Sequence, residues 1–167
     1  MRRLVTVCCL IFVGCSGATD DATSTTSGAL TANATFVGVV DGDTINVILD
    51  GVEERVRLIG IDTPETKKPD SPVECFGPEA AAYTESLLPD GTSLHLERDV
   101  EARDQYGRLL AYVYLADSGL FVNLEIVRHG YANTLTIPPN VAHADDFVEA
   151  ARAAEASNLG LWAGCAG

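Results

Sequence analysis

Three β-rich runs separated by two Asp-Gly pairs dominate the front half of the chain. Thr35–Val40 ends at Asp41-Gly42, Thr44–Leu49 ends at Asp50-Gly51, and Arg55–Ile61 follows. Asp-Gly is the residue pair that a tight two-residue hairpin demands, because glycine adopts positive φ without steric cost. Three strands in this order, joined by tight turns, form an antiparallel meander.

Thr63–Phe76 holds three prolines and two lysines and reads as a loop. Pro78 suits the first turn of a helix, and the helix-forming run to Leu88 follows it before Pro89-Asp90-Gly91 stops the element. Ser93–Glu97 alternates as a fourth strand and Leu109–Leu115 is a fifth. Phe121–His129 reads as a helix with Gly130 as its C-cap. Asn140 is placed to cap a last helix through Ser157, with Phe147, Ala151 and Ala154 on one face. The order β-β-β-α-β-β followed by helices is that of an α+β domain, a five-stranded OB-type β-barrel with three helices. His95 and His143 fall on a strand and a helix far apart in sequence and read as surface or boundary residues rather than zinc ligands.

The first residues carry a different signal. Met1-Arg2-Arg3 is a short basic start, Leu4–Val13 is apolar apart from Thr6, and small residues follow. This is the layout of a secretory signal over residues 1–14. Phe12-Val13-Gly14-Cys15 resembles a bacterial lipobox, which makes Cys15 the expected lipidated residue and simple secretion the alternative. Residues 15–33 are then the lipidated Cys and a flexible spacer of Ser, Thr, Ala, Gly and Asp. The folded domain is expected over residues 34–167. Cys8 and Cys9 leave with the signal, and Cys75 and Cys165 remain as an even pair in an oxidising compartment. A disulfide between them is expected, with two free thiols as the alternative.

The chain has 24 acidic and 11 basic side chains, a formal charge of -13. That argues against binding of nucleic acid by bulk positive charge but leaves room for a local basic site or a bridging metal. Arg55, Arg57, Lys67, Lys68, Arg103 and Arg108 would offset the repulsion if they shared one mouth. High salt would also shorten its range.

Three clusters carry chemistry. Asp41-Gly42-Asp43-Thr44 is a turn with two carboxylates. Arg57 leads into Asp62-Thr63-Pro64-Glu65, a loop of hard oxygen donors of the kind Ca²⁺ takes. Asp104–Arg108 is a turn that ends in an arginine. Phosphodiester hydrolysis needs this inventory: a cation to neutralise a phosphate oxygen, a carboxylate to take the water proton, and guanidinium groups to meet charge that grows in the transition state.

The motifs Val39–Ile45, Arg57–Thr66, Gly77–Ala80, Tyr106–Tyr112, Asn123–Gly130 and Gly160–Trp162 resemble those of the thermonuclease family, over about Ala34 to Ala163. The resemblance implies a Ca²⁺-dependent endonuclease that acts on DNA and RNA and leaves 3′-phosphorylated products. It implies Asp43 and Asp62 as Ca²⁺ ligands, with Thr63 contributing its backbone carbonyl. Glu65 orients or deprotonates the attacking water. Arg57 and Arg108 bind the phosphate from opposite sides, and Tyr106 contacts substrate. Asp41 is expected to be structural. The alternatives are a non-catalytic OB-fold module that binds nucleic acid or protein, and a Ca²⁺-binding structural surface lipoprotein. The latter would need the carboxylates but not the two arginines. A monomer is expected, tethered to membrane through Cys15.

Two departures from the family pattern stand out. Gln105 occupies the place of a lysine, and Asn133–Pro138 replaces a segment with two base-stacking tyrosines. Stacking is worth about 1–3 kcal/mol per base in single-strand sites, so tight mononucleotide binding is not expected.

Overall fold

Both Asp-Gly pairs form the expected turns. In the computed structural model, which describes residues 28–67 and 72–165, β1 (Ala34–Asp41), β2 (Thr44–Leu49) and β3 (Val52–Leu58) form the meander. At the second turn Asp50 and Gly51 both have positive φ, 51° and 80°, the signature of a type I′ hairpin. Register shifts at two points in β1 mark bulges that coil this strand around the barrel.

Arg55–Ile61 is not one strand. β3 ends at Leu58, and β4 (Gly60–Asp62) pairs with β7 (Asn133–Leu135) in a separate two-stranded sheet. The break lies at Gly60, whose φ of 86° a β-branched or bulky residue would resist. A Cβ there would overlap the ring of the buried Phe147. The ladder lost at the break is repaired by Asn123, a fully buried side chain whose amide Nδ2 donates to Ile59 O at 2.9 Å and whose Oδ1 accepts Val113 N–H at 2.9 Å.

α1 (Gly77–Leu87) leads to β5 (Ser93–Glu97) and β6 (Leu109–Leu115). β5 pairs antiparallel with β1 and with β6, and β6 runs parallel to β3 with Val56 opposite Leu109. The result is a closed barrel in the order β1-β2-β3-β6-β5, the OB-type α+β architecture expected. Its interior is filled by Ile45, Val47, Val56, Leu58, Leu94 and Val113, all at most 1% exposed. Each such side chain stabilises the fold by about 1.5–3 kcal/mol relative to exposure.

The remaining helices are α2 (Val122–Arg128), α3 (Ala144–Ala156) and the single turn α4 (Leu161–Gly164), so there are four helices among the described residues rather than three. α3 starts three residues later than expected, with His143 rather than Asn140 at its cap position. Asn140 caps nothing, because its side-chain amide is committed to Glu101: Oδ1 accepts the Glu101 N–H at 2.8 Å and Nδ2 donates to the Glu101 carbonyl at 3.0 Å. Asp145 and Asp146 in the first turn of α3 complement its dipole instead.

Residues ahead of β1 are already tied to the barrel. Leu30 N–H donates to Ala116 O at 2.7 Å, and the Asn33 amide makes a paired bond with the Leu96 backbone at 2.8 and 2.9 Å. The signal over residues 1–14, the lipidated Cys15 and the spacer up to residue 27 lie outside the described residues. Cys75 and Cys165 form a disulfide, with Cα atoms 5.9 Å apart, joining the segment before α1 to the end of α4. His95 Nδ1 donates to the Thr31 carbonyl at 2.8 Å, and His143 packs edge-on to Tyr112. Neither belongs to a metal cluster among the described residues.

Candidate active site

β3 alternates, with Val56 and Leu58 inside the barrel and Arg55 and Arg57 outside. Arg57 is held on all sides. Its Nη1 donates to the carbonyls of Leu58 and Ile61, each at 2.7 Å, and its Nη2 meets Asp62 Oδ1 at 3.0 Å and Asp43 Oδ2 at 3.1 Å. The break after β3 is what turns these two carbonyls toward the guanidinium.

Asp43 comes from the first Asp-Gly turn. Its Oδ1 accepts the Thr44 hydroxyl at 3.0 Å and its Oδ2 accepts the Thr63 N–H at 3.0 Å. The turn and the loop after β4 therefore close on each other. Gly42 is required there: a Cβ would stand 2.8–2.9 Å from the Thr63 side chain. The Gly42 carbonyl accepts the buried Thr84 hydroxyl of α1 at 2.6 Å. Thr63 Oγ1 is buried without a partner, so this threonine meets its surroundings through its backbone.

Glu65 follows on the same loop. Its Oε1 accepts the N–H groups of Thr66 at 3.0 Å and Lys67 at 2.8 Å. Asp41 accepts Gly42 N–H at 2.9 Å and the Thr66 hydroxyl at 3.0 Å. Its carboxyl is pushed up to about 6 by burial and by its hydrogen bond with the Glu65 carboxyl. Asp62 is also raised above the ordinary carboxylate range, by burial first, and then by Asp43, Glu74 and Glu65 against the opposing pull of Arg57.

The Asp104–Arg108 turn supplies the opposite wall. Asp104 Oδ1 accepts the N–H groups of Tyr106 at 3.0 Å and Arg108 at 2.9 Å, and its Oδ2 takes Arg108 Nε at 2.7 Å. Burial alone would raise the Asp104 carboxyl, but these bonds from Arg108 and Tyr106 hold it below the usual range. Tyr106 is 75% exposed, with the Arg108 guanidinium carbon 5.5 Å from its ring centroid. Core packing is therefore not its role. Because β6 runs beside β3, Arg108 enters level with Arg55 and Val56.

One cleft of about 420 Å³ gathers Asp41, Asp43, Arg55, Arg57, Asp62, Thr63, Glu65, Lys67, Glu74 and Arg108. Tyr106 lies at its rim, in the adjoining grooves. Of the six basic residues expected at one mouth, Arg103 is elsewhere, paired with Glu54 at 2.7 Å, and Lys68 lies outside the described residues. A second, more apolar cleft of about 340 Å³ runs beneath Tyr106, with Leu135 and Ile137 forming an aliphatic wall where the family's tyrosines are missing.

The donor set fits a hard cation. Asp43 and Asp62 converge on one nitrogen of Arg57, and Thr63 adjoins both: it follows Asp62 in the chain and bonds Asp43. Asp41 and Asp62, each raised by burial first and then by neighbouring carboxylates, mark a cleft short of positive charge. The set is small: among the described residues no three or more His, Cys, Asp or Glu side chains are gathered in metal-binding geometry.

Sequence reasoning missed Glu74. The Glu65 N–H donates to Glu74 Oε2 at 3.1 Å, and the Glu74 N–H donates to Glu65 O at 2.9 Å. Its only sequence signal is a carboxylate at the far end of the same proline-rich loop. The role of Asp104 as turn organiser was readable from Asp at the head of a turn that ends Gly-Arg.

The sequence profile of staphylococcal nuclease homologues matches residues 55–164, which include Arg57, Asp62, Thr63, Glu65, Tyr106 and Arg108 but not Asp43. A thermonuclease of Staphylococcus intermedius is 42% identical over 124 residues, 74% of this chain and 72% of that protein. A thermonuclease of Staphylococcus hyicus is 36% identical over 126 residues, 75% of this chain and 73% of that protein. The endonuclease YncB of Bacillus subtilis is 39% identical over 132 residues, 78% of this chain and 61% of that protein. On the profile match, the shared barrel and this level of identity, the chain belongs to the staphylococcal nuclease family.

Proposed function

We propose that this chain is a Ca²⁺-dependent endonuclease that hydrolyses DNA and RNA to 3′-phosphorylated products and is exported, with a lipid on Cys15 tethering it to a membrane. The chain is a phosphodiesterase of the nuclease family, with thermonuclease and endonuclease relatives. The observation that carries the finer reading is that Arg57, from β3, and Arg108, from the turn before β6, line one cleft with Asp43, Asp62 and Glu65. A structural Ca²⁺ protein has no use for that pair of guanidinium groups.

Asp43, Asp62 and the Thr63 carbonyl would hold the ion, which when bound supplies the charge that lets an anionic diester enter a cleft rich in carboxylates. The chain's own residues do the rest. Arg57 and Arg108 bind the phosphoryl oxygens, and each contributes more as charge builds on them in the transition state. Arg57 is pre-oriented by two carbonyls and Arg108 by Asp104, so little reorganisation is needed at the moment of reaction. Glu65, fixed by two backbone N–H groups, accepts the proton of the attacking water. Tyr106, exposed at the rim, offers its hydroxyl to a phosphate of the bound strand.

Export is supported by the basic-apolar-small layout of residues 1–15 and by the Cys75–Cys165 bridge, which suits an oxidising compartment. The test is digestion of plasmid DNA and of RNA with Ca²⁺ and with chelator, with end analysis of the products. Cleavage should stop in chelator, resume with Ca²⁺ and leave 3′-phosphates. Full activity in chelator would overturn the metal assignment. Labelled fatty acid should enter the native chain and be lost in Cys15→Ser; an unlabelled native chain would leave plain secretion.

A further inference from the structure

We propose that Arg55 forms a second phosphate subsite beside the scissile position, and that Glu53 limits this side of the cleft to that single extra phosphate. The proposal rests on the nuclease reading above. The outward positions of β3 run Glu53, Arg55, Arg57. Strand geometry spaces successive outward residues by about 6.7 Å, so a nucleic acid strand laid along β3 meets them in turn.

Arg55 differs from the arginines of the cleft and its surroundings. Arg57 is engaged by four acceptors, Arg103 by Glu54 and Arg108 by Asp104. Arg55 is exposed, and no hydrogen bond or ion pair among the described residues claims its guanidinium. It lines the catalytic cleft, and it also lines the shallower groove that continues past it with Asn46, Glu53, Tyr106 and Gly107. Asn46 is its cross-strand partner on β2, which places an amide donor beside the guanidinium. In a chain of charge -13, an unpaired cation next to the catalytic arginine is suited to an anion brought by the substrate. One step further along β3, a phosphate would meet the carboxylate of Glu53, and like charges there disfavour it. The ligand class is an oligonucleotide strand read through its backbone, without regard to base.

The experiment is steady-state cleavage, with Ca²⁺ present, of a dinucleoside monophosphate and of short oligonucleotides extended on the 5′ or the 3′ side. Arg55→Ala should raise KM on an oligonucleotide extended on one side by about tenfold, the value of one charged contact, with kcat little changed. The dinucleoside monophosphate should not respond. The slope of log(kcat/KM) against log salt should fall in magnitude by about 0.7–1. Arg55→Lys should recover most of the KM, and Glu53→Gln should lower KM only for strands with two or more extra phosphates. Equal loss on both substrates, or no loss on either, overturns the subsite while leaving the nuclease reading intact. A wild-type chain that cleaves neither substrate overturns both. Thermal melting of Arg55→Ala should match the wild type, since the side chain is exposed and unpaired.

Discussion

Glu74 holds the Glu65 peptide from both sides, accepting its N–H at 3.1 Å and donating to its carbonyl at 2.9 Å. The next residue, Cys75, is covalently fixed to Cys165 at the far end of the chain. The proposed base is thus anchored through one carboxylate and one disulfide to the rim of α4.

Reduction of that disulfide should therefore act on two observables. The fold should lose about 2–4 kcal/mol, the usual range for a bridge closing a long loop. Turnover should fall more than KM rises, because Glu65 loses its anchor while Arg57 and Arg108 keep theirs. Calorimetry and kinetics with and without reductant check this, with Cys165→Ser as the genetic equivalent. Glu74→Gln, which keeps an acceptor, should retain more turnover than Glu74→Ala.

The two arginines should separate on stability. Arg57→Ala and Arg108→Ala should each lower kcat by about 10²–10³, the cost of one lost transition-state donor. Arg57→Ala should cost more stability than Arg108→Ala, about 1–3 kcal/mol, since its loss strands two carbonyls and two carboxylates where loss of Arg108 strands the Asp104 carboxylate alone. Chemical denaturation of both variants beside the kinetics reads the difference.

Gly60→Ala should be among the most damaging small substitutions. It combines a φ of 86° with overlap of the Phe147 ring. A loss of about 2–4 kcal/mol is expected, measured as a shift in denaturation midpoint. Gly91, also at positive φ but with nothing near its missing Cβ, should tolerate alanine better.

Stability should fall in acid. Asp99 is held below the ordinary carboxylate range, chiefly by the Ala142 N–H, with the Tyr112 hydroxyl adding to it. Asp104 is likewise lowered by Arg108 against burial. For a group lowered on folding, the stabilisation is present above its unfolded value, 3.8 for Asp, and is lost as pH falls through the folded value. Melting temperature should therefore drop below about pH 4, and Asp99→Asn should flatten that limb.

The legible parts of the chain were those governed by local chemistry. Asp50-Gly51 dictated its own turn, and the alternation of Val56 and Leu58 against Arg55 and Arg57 placed two arginines on the outer face. Asp43, Asp62, Thr63, Glu65, Tyr106 and Arg108 were recognisable by motif, and the fold brings them to one cleft and its rim. What stayed hidden depends on distant partners. Nothing around Ile59 announces that the strand breaks there, apart from a glycine, because the alternative partner is Asn133–Leu135. Asn140 looked like a cap because its true partner, Glu101, is remote in sequence. Glu74 was invisible for the same reason: its role exists only once the loop has closed.

The parallel seam between β3 and β6 also governs when catalysis can begin. Asp43, Arg57, Asp62 and Glu65 leave the ribosome well before Arg108, and the meander that carries Asp43 and Arg57 is complete while the other wall is still unmade. Barrel closure joins segments far apart in the chain, the kind of contact that forms late and slowly. Competence to cut therefore arrives in one step, at closure. During refolding, the return of cleavage should lag behind the return of sheet signal and keep time with that seam.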